Sequence, residues 1–142
     1  MMKNLVYAIN RALAEALNVP FEQVHNEQVA QGLIVPALFV FVDNVNRVEM
    51  LGDKSRQVVT FDIAYLDDTS NRAELLEIID KMNRALYVLD LGENQKKRAQ
   101  SLEWSIGEDA VVHTRAVYSI ITDLVETDEK VENLQKDIMI GG

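Results

Sequence analysis

From Ala37 to Val42 the sequence reads ALFVFV, six apolar residues in succession. A strand sends alternate side chains to opposite faces of its sheet, so a strand built from this run needs apolar cover on both faces. The neighbouring segment RQVVTFDIAYL behaves differently. Val59, Phe61, Ile63 and Tyr65 alternate with Val58, Thr60, Asp62 and Ala64, the period-two pattern of a strand with one buried face. Gly52-Asp53 lies between the two segments and supplies turn chemistry. A long hairpin is expected, its first strand running from about Ala37 to Glu49 and its tip projecting beyond the core.

Helical patterns flank this hairpin. Leu5, Ile9, Ala12, Leu13, Ala16 and Leu17 fall on one helical face, and Pro20 ends that pattern because the residue before a proline is pushed out of the α region. Phe21 to Glu27 reads as a short edge strand or a loop. Further on, Asn71 with Glu74 forms a capping box ahead of a stripe of Leu75, Ile79, Met82 and Leu86, with Gly92 at the exit. Two strands follow, from about Arg98 to Ile106 and from about Ala110 to Thr122, joined by the turn GED. The expected fold is α+β: an antiparallel or mixed sheet of about four strands with two helices packed on one face, in the order helix, hairpin, helix, hairpin. It occupies residues 1–122, and residues 123–142 form an acidic C-terminal extension.

A chain of 142 residues, 48% apolar and 26% charged, fits one folded domain. No apolar run approaches the roughly 20 residues of a membrane-spanning helix, and the polar residues scattered through MMKNLVYAINRALAEALNV do not suit a signal peptide. The chain has no cysteine, so no disulfide framework or thiolate metal site is expected. A net charge of −9 argues against a dedicated nucleic-acid binder. The charge is concentrated at the end. There Asp123, Glu126, Asp128, Glu129, Glu132 and Asp137 are opposed only by Lys130 and Lys136, six acids against two bases, leaving −4 in the extension and −5 elsewhere. Its apolar stripe of Val131, Leu134 and Ile138 is too thin to hold an isolated helix. Leu134 and Ile138 are therefore expected to be frayed in the isolated subunit and to dock on an adjacent subunit or a tail partner.

If both helices cover one sheet face, the other leaves four or five large side chains in water, at about 2 kcal/mol each. Either Phe21–Leu33 or the acidic extension folds over them, or a neighbouring subunit does, since large apolar patches mark interfaces. The last is the expectation, with Phe39 and Phe41 as contact residues. Arg47, Lys54 and Arg56 flank the hairpin turn, and Lys96-Lys97-Arg98 is the densest basic run. Such charges are solvated edge guards, or they meet acidic neighbours or passing DNA. The position of Arg47, Lys54 and Arg56 near a projecting tip makes them interface candidates.

Little in the sequence suggests catalysis. His25 and His113 lie in different elements without metal-ligand spacing, and Asp43, Asp62 and Glu103 read as outward carboxylates on strands. GxSxG, P-loop and GxGxxG motifs are absent. No enzyme activity, metal or cofactor is expected. Trp104 alternates with Leu102 and Ile106 and is expected in the core.

Three blocks, QGLIVPALFVFV, RQVVTFDIAYL and DAVVHTRAVYSI, follow the N-terminal helix in that order. Gln31-Gly32, the Pro36-x-x-Phe39 step and Phe61-Asp62-Ile63-x-Tyr65 carry a resemblance, across roughly residues 1 to 122, to the tail terminator proteins of long-tailed bacteriophages and related prophages. The resemblance implies a structural virion protein, assembled in the host bacterial cytoplasm and located in the tail. It implies a ring, typically a hexamer, that binds the last layer of the tail tube protein and halts polymerisation. The opposite surface would meet a head-completion or connector protein, with DNA passing through without specific binding. Another head–tail connector or the tube subunit is the alternative, and a small cytosolic enzyme or ligand-binding domain is a more distant one.

Overall fold

Helical spacing of apolar residues winds the start of the chain into α1, Met2–Leu17. The computed structural model describes residues 2–29, 32–50, 52, 54–68 and 71–123. It buries Leu5, Ile9 and Leu13 of α1 fully. Ala8 and Ala14 are buried as well, while Ala12 and Ala16 are only half-buried, so the inward stripe is rotated slightly from the expected one. Asn10 also points inward. Its amide and that of Asn26 exchange hydrogen bonds of 2.9 and 3.3 Å, and Asn26 donates a second bond of 2.9 Å to the Val40 carbonyl. Buried amides need such partners, and these bonds fasten the connecting segment to both helix and sheet.

After Pro20, a 3-10 turn at Phe21–Gln23 leads into β1, Val24–His25. β1 lies parallel to β2, Ala37–Glu49, with Val24 opposite Leu38 and His25 opposite Phe39. Within Phe21–Glu27 the pair Val24–His25 therefore forms a short edge strand, one of the two expected states of this segment. It widens the sheet and does not fold over the open face.

β2 pairs antiparallel with β3, Lys54–Leu66, from Ala37↔Leu66 to Glu49↔Ser55, with a bulge between Val42 and Asn44. β7, Val112–Asp123, runs beside β3 along its whole length, and β6, Ser101–Ile106, closes the far edge. The order β1-β2-β3-β7-β6 makes a five-stranded mixed sheet. Leu38, Val40, Val59, Phe61, Ile63, Tyr65, Ala116, Tyr118 and Ile120 face α1 and α2 in one core. The alternation seen in β3 is thus realised, and both helices lie on one sheet face.

Asn71 caps α2, Arg72–Tyr87, by accepting from the amides of Ala73 and Glu74 at 2.9 and 3.3 Å. Leu75, Ile79, Met82 and Leu86 are the buried stripe of this helix, as their spacing required. The helix stops five residues before Gly92. Val88 is already extended, and β4, Val88–Gly92, pairs with β5, Gln95–Arg98, in a separate hairpin. Glu93 and Asn94 both adopt left-handed backbone, with φ of 51° and 62°, the geometry of the tight hairpin turn that follows strand twist. Two corrections follow. Among the described residues the sheet has five strands where about four were expected, with β4 and β5 in a sheet of their own, and the predicted strand from Arg98 to Ile106 is two separate strands, β5 and β6.

Tyr118 joins the layers. Its buried hydroxyl donates 2.6 Å to the Leu86 carbonyl in the last turn of α2, where carbonyls lack helical partners. Burial pushes this phenol's pKa well above the usual tyrosine value. Tyr65 is pushed the same way, by burial first and then by its 2.9 Å hydrogen bond to Asp67.

Candidate functional site

The helices cover only part of the long strands. On β2, Ala37, Leu38 and Val40 are buried, yet every residue from Val42 to Glu49 is exposed. Val42 (45% exposed), Val45, Val48 (41%) and Met50 therefore leave large apolar side chains on a projecting arm. The arm is firmly built. Met50 N–H donates 3.1 Å to the Lys54 carbonyl, and Gly52 takes φ of 81°, a value that suits glycine. β7 accompanies β3 as far as Lys54, opposite Asp123, so the projecting part is three strands wide, and not the bare hairpin its sequence suggests.

The bulge decides how the arm presents itself. Before it, Leu38, Val40 and Val42 face the helix side, opposite Tyr65, Ile63 and Phe61. After it, Val45 opposite Val59 continues that face, while Val48 opposite Arg56 lies on the other. Valines spaced by three in FVDNVNRVEM are the signal of this change, and sequence reasoning did not use it.

Phe39 and Phe41 lie on the sheet face away from the helices, opposite Ala64 and Asp62. They are half-buried, with rings 5.9 Å apart, and the His25 ring packs 5.2 Å from that of Phe39. Asp43, the extra residue of the bulge, reaches over β3 to pair with Arg115 at 3.3 Å. Of the arm cations, Arg47 is exposed and lies 3.5 Å from Glu49, Lys54 is exposed at the tip, and Arg56 is half-buried opposite Ile121. The structure thus brings Phe39 and Phe41 together on the sheet, with Arg47, Lys54 and Arg56 at its projecting end. Leu134 and Ile138 lie outside the described residues. Trp104 is corrected: it is 48% exposed, because β6 is the sheet's edge strand.

An open depression of about 300 Å³ is lined by Asp62, Glu103, Ser105, His113 and Arg115. These side chains are exposed, and among the described residues no three His, Asp or Glu side chains gather as a metal site. Ser105 and His113 stand opposite each other on β6 and β7, and among the described residues no hydrogen bond joins them. The chemistry on offer is that of contact: an apolar sheet face, an apolar arm and flanking charges.

The domain carries two helices on one sheet face, and among the described residues the projecting end of the sheet stays exposed. Its sequence fits the family model described as phage tail terminator protein over residues 4–131, and the chain belongs to that family. It is by family a structural protein of the phage tail. No curated protein sequence matches it. Among solved structures, a chain from the virion of a native gene transfer agent particle is similar in fold, with a TM-score of 0.54 and 15% identity over 84% of this chain and 94% of that one.

Proposed function

We propose that the protein forms a ring, a hexamer, at the head-proximal end of the tail tube, stops tube polymerisation there and offers its other surface to a head-completion protein. The observation that carries this reading is the exposed apolar arm of Val42, Val45, Val48 and Met50 beside the half-buried pair Phe39 and Phe41. Arm and face are different surfaces, so joining one to the other between copies is a heterologous contact, the kind that closes into rings. Phe39, Phe41, Arg47, Lys54 and Arg56 are placed at that contact. A net charge of −9 suits a conduit that lets DNA pass without trapping it.

The test is polymerisation of the cognate tube protein with and without this protein. Tubes should stop at shorter, uniform lengths and carry an extra ring at one end by electron microscopy. Unchanged tube lengths with bare ends overturn the proposal. Long tubes built from this protein alone would make it a tube subunit instead.

A further inference from the structure

On the sheet face away from the helices, strand register sorts side chains into rows. Val48, Arg56 and Ile121 share one row at the projecting end, and Phe41, Asp62 and Arg115 share another nearer the body. Val58 and Thr60 of β3 stand between the two rows on the same face, since Val59 and Phe61 point into the core. The row at the projecting end is apolar around one cation: Val48 is 41% and Ile121 50% exposed, with Arg56 half-buried between them. The other row offers the half-buried Phe41 ring and the exposed Asp62 carboxylate, because Arg115 is turned to Asp43 at 3.3 Å. Among the described residues, neither Arg56 nor Asp62 has an ion-pair partner. One face thus carries an unpaired cation at one end and an unpaired anion at the other, about 20 Å apart along β3.

Such a face is complementary to itself turned end for end. We infer that the free protein forms a twofold dimer, sheet face against sheet face with strands antiparallel. Val48 of each copy packs on the other's Phe41, Ile121 on the aliphatic stem of the other's Arg115, and Arg56 meets the other's Asp62. A twofold axis crossing β3 between Val58 and Thr60 makes every one of these contacts twice. Packing with strands parallel would set Arg56 on Arg56 and Asp62 on Asp62, so charge selects the antiparallel arrangement. The face is about 30 Å long and, at three strands, about 14 Å wide. That is roughly 400 Å² per copy, against about 800 Å² in a standard stable interface, so the dimer should be weak and reversible. It is independent of the proposed ring, because it concerns the free protein and an isologous contact that stops at two copies. While the dimer holds, Phe41 is closed to any other contact.

Sedimentation velocity of the full-length protein from about 1 μM to about 1 mM reads the assembly. Monomer should convert to dimer and to nothing larger. Arg56→Glu or Asp62→Arg alone sets like charges together at both places and should weaken the dimer about tenfold. The doubly substituted protein restores opposite charges at both, and so does an equal mixture of the two single variants. Each should return to within about threefold of the unsubstituted dimer. Rescue in the mixture also shows that the single variants are folded. Monomer at every concentration overturns the inference, and so does growth past two copies, which would give both rows to a head-to-tail contact. Dimers indifferent to the charge reversals overturn it too, by assigning the contact to another surface. The capping of tubes, which tests the ring, is read separately with the tube protein present.

Discussion

Replacing Val45 and Val48 together by threonine probes the arm while sparing the fold. Both are about 40% exposed, so a neighbour has somewhat under half of each side chain left to bury. Full burial of a valine contributes about 1.5–3 kcal/mol, and the remaining part about 1 kcal/mol. Threonine keeps the shape and the β-branch but loses this gain and adds about 1 kcal/mol for burying a hydroxyl without a partner. The two changes should cost each subunit contact about 2–4 kcal/mol, roughly 30- to 1,000-fold in association. The isolated subunit should hardly notice, since both side chains already meet water, and its melting temperature should stay within about 2 °C. Sedimentation velocity over a concentration series reads the assembly midpoint, and counts of ring-capped tubes read the same contact in place. Assembly at the unsubstituted protein's concentrations, with both threonines present, would refute the reasoning that the arm is a contact surface.

Two further predictions concern what holds the domain together. Tyr118→Phe removes the 2.6 Å bond to the Leu86 carbonyl and should cost about 1–2 kcal/mol in urea unfolding. Because burial raises the phenol's pKa in the fold, its stabilisation is complete below the unfolded value of about 10 and fades as pH rises through the higher folded value; Tyr118→Phe should therefore lose less stability than the unsubstituted protein above about pH 10, with Tyr65 accounting for the loss that remains. Asn26→Ala strands the Asn10 amide and the Val40 carbonyl and should cost about 2–3 kcal/mol, lowering the melting temperature by roughly 5–10 °C, whereas a loss below about 0.5 kcal/mol would mean the amide pair is dispensable.

What the sequence revealed depended on how strongly each element's periodicity was written. In β3 the alternation is unbroken because helices cover one face along most of its length, and in α2 the cap and stripe agree, so both were legible. The hairpin of β4 and β5 was not. Its strands are short, Val88 follows the helix without a loop, and the turn uses Glu93-Asn94, where the Asn-Gly signal is missing. Trp104 alternates correctly with Leu102 and Ile106, but alternation reports which face a residue takes and not whether a helix reaches it. Phe39 and Phe41 were legible as a pair on the second face because ALFVFV has no polar side. The valines of the arm were not, since their spacing of three makes sense only with the bulge at Asp43.

That one extra residue has a consequence for how such an arm can change in length. Adding or removing residues in pairs along β2 beyond Asp43 lengthens or shortens the arm and keeps each remaining side chain on its side. Deletion of Asp43 would erase the bulge and leave Asn44 opposite Thr60 and Val45 opposite Val59, whereas a single residue inserted between Asn44 and Val45 would exchange Val45 and Val48 across the sheet. The same letters would then be delivered to opposite recipients. Viable variants of this arm beyond Asp43 should therefore come in even steps, with odd steps tolerated only where a second bulge restores the original address.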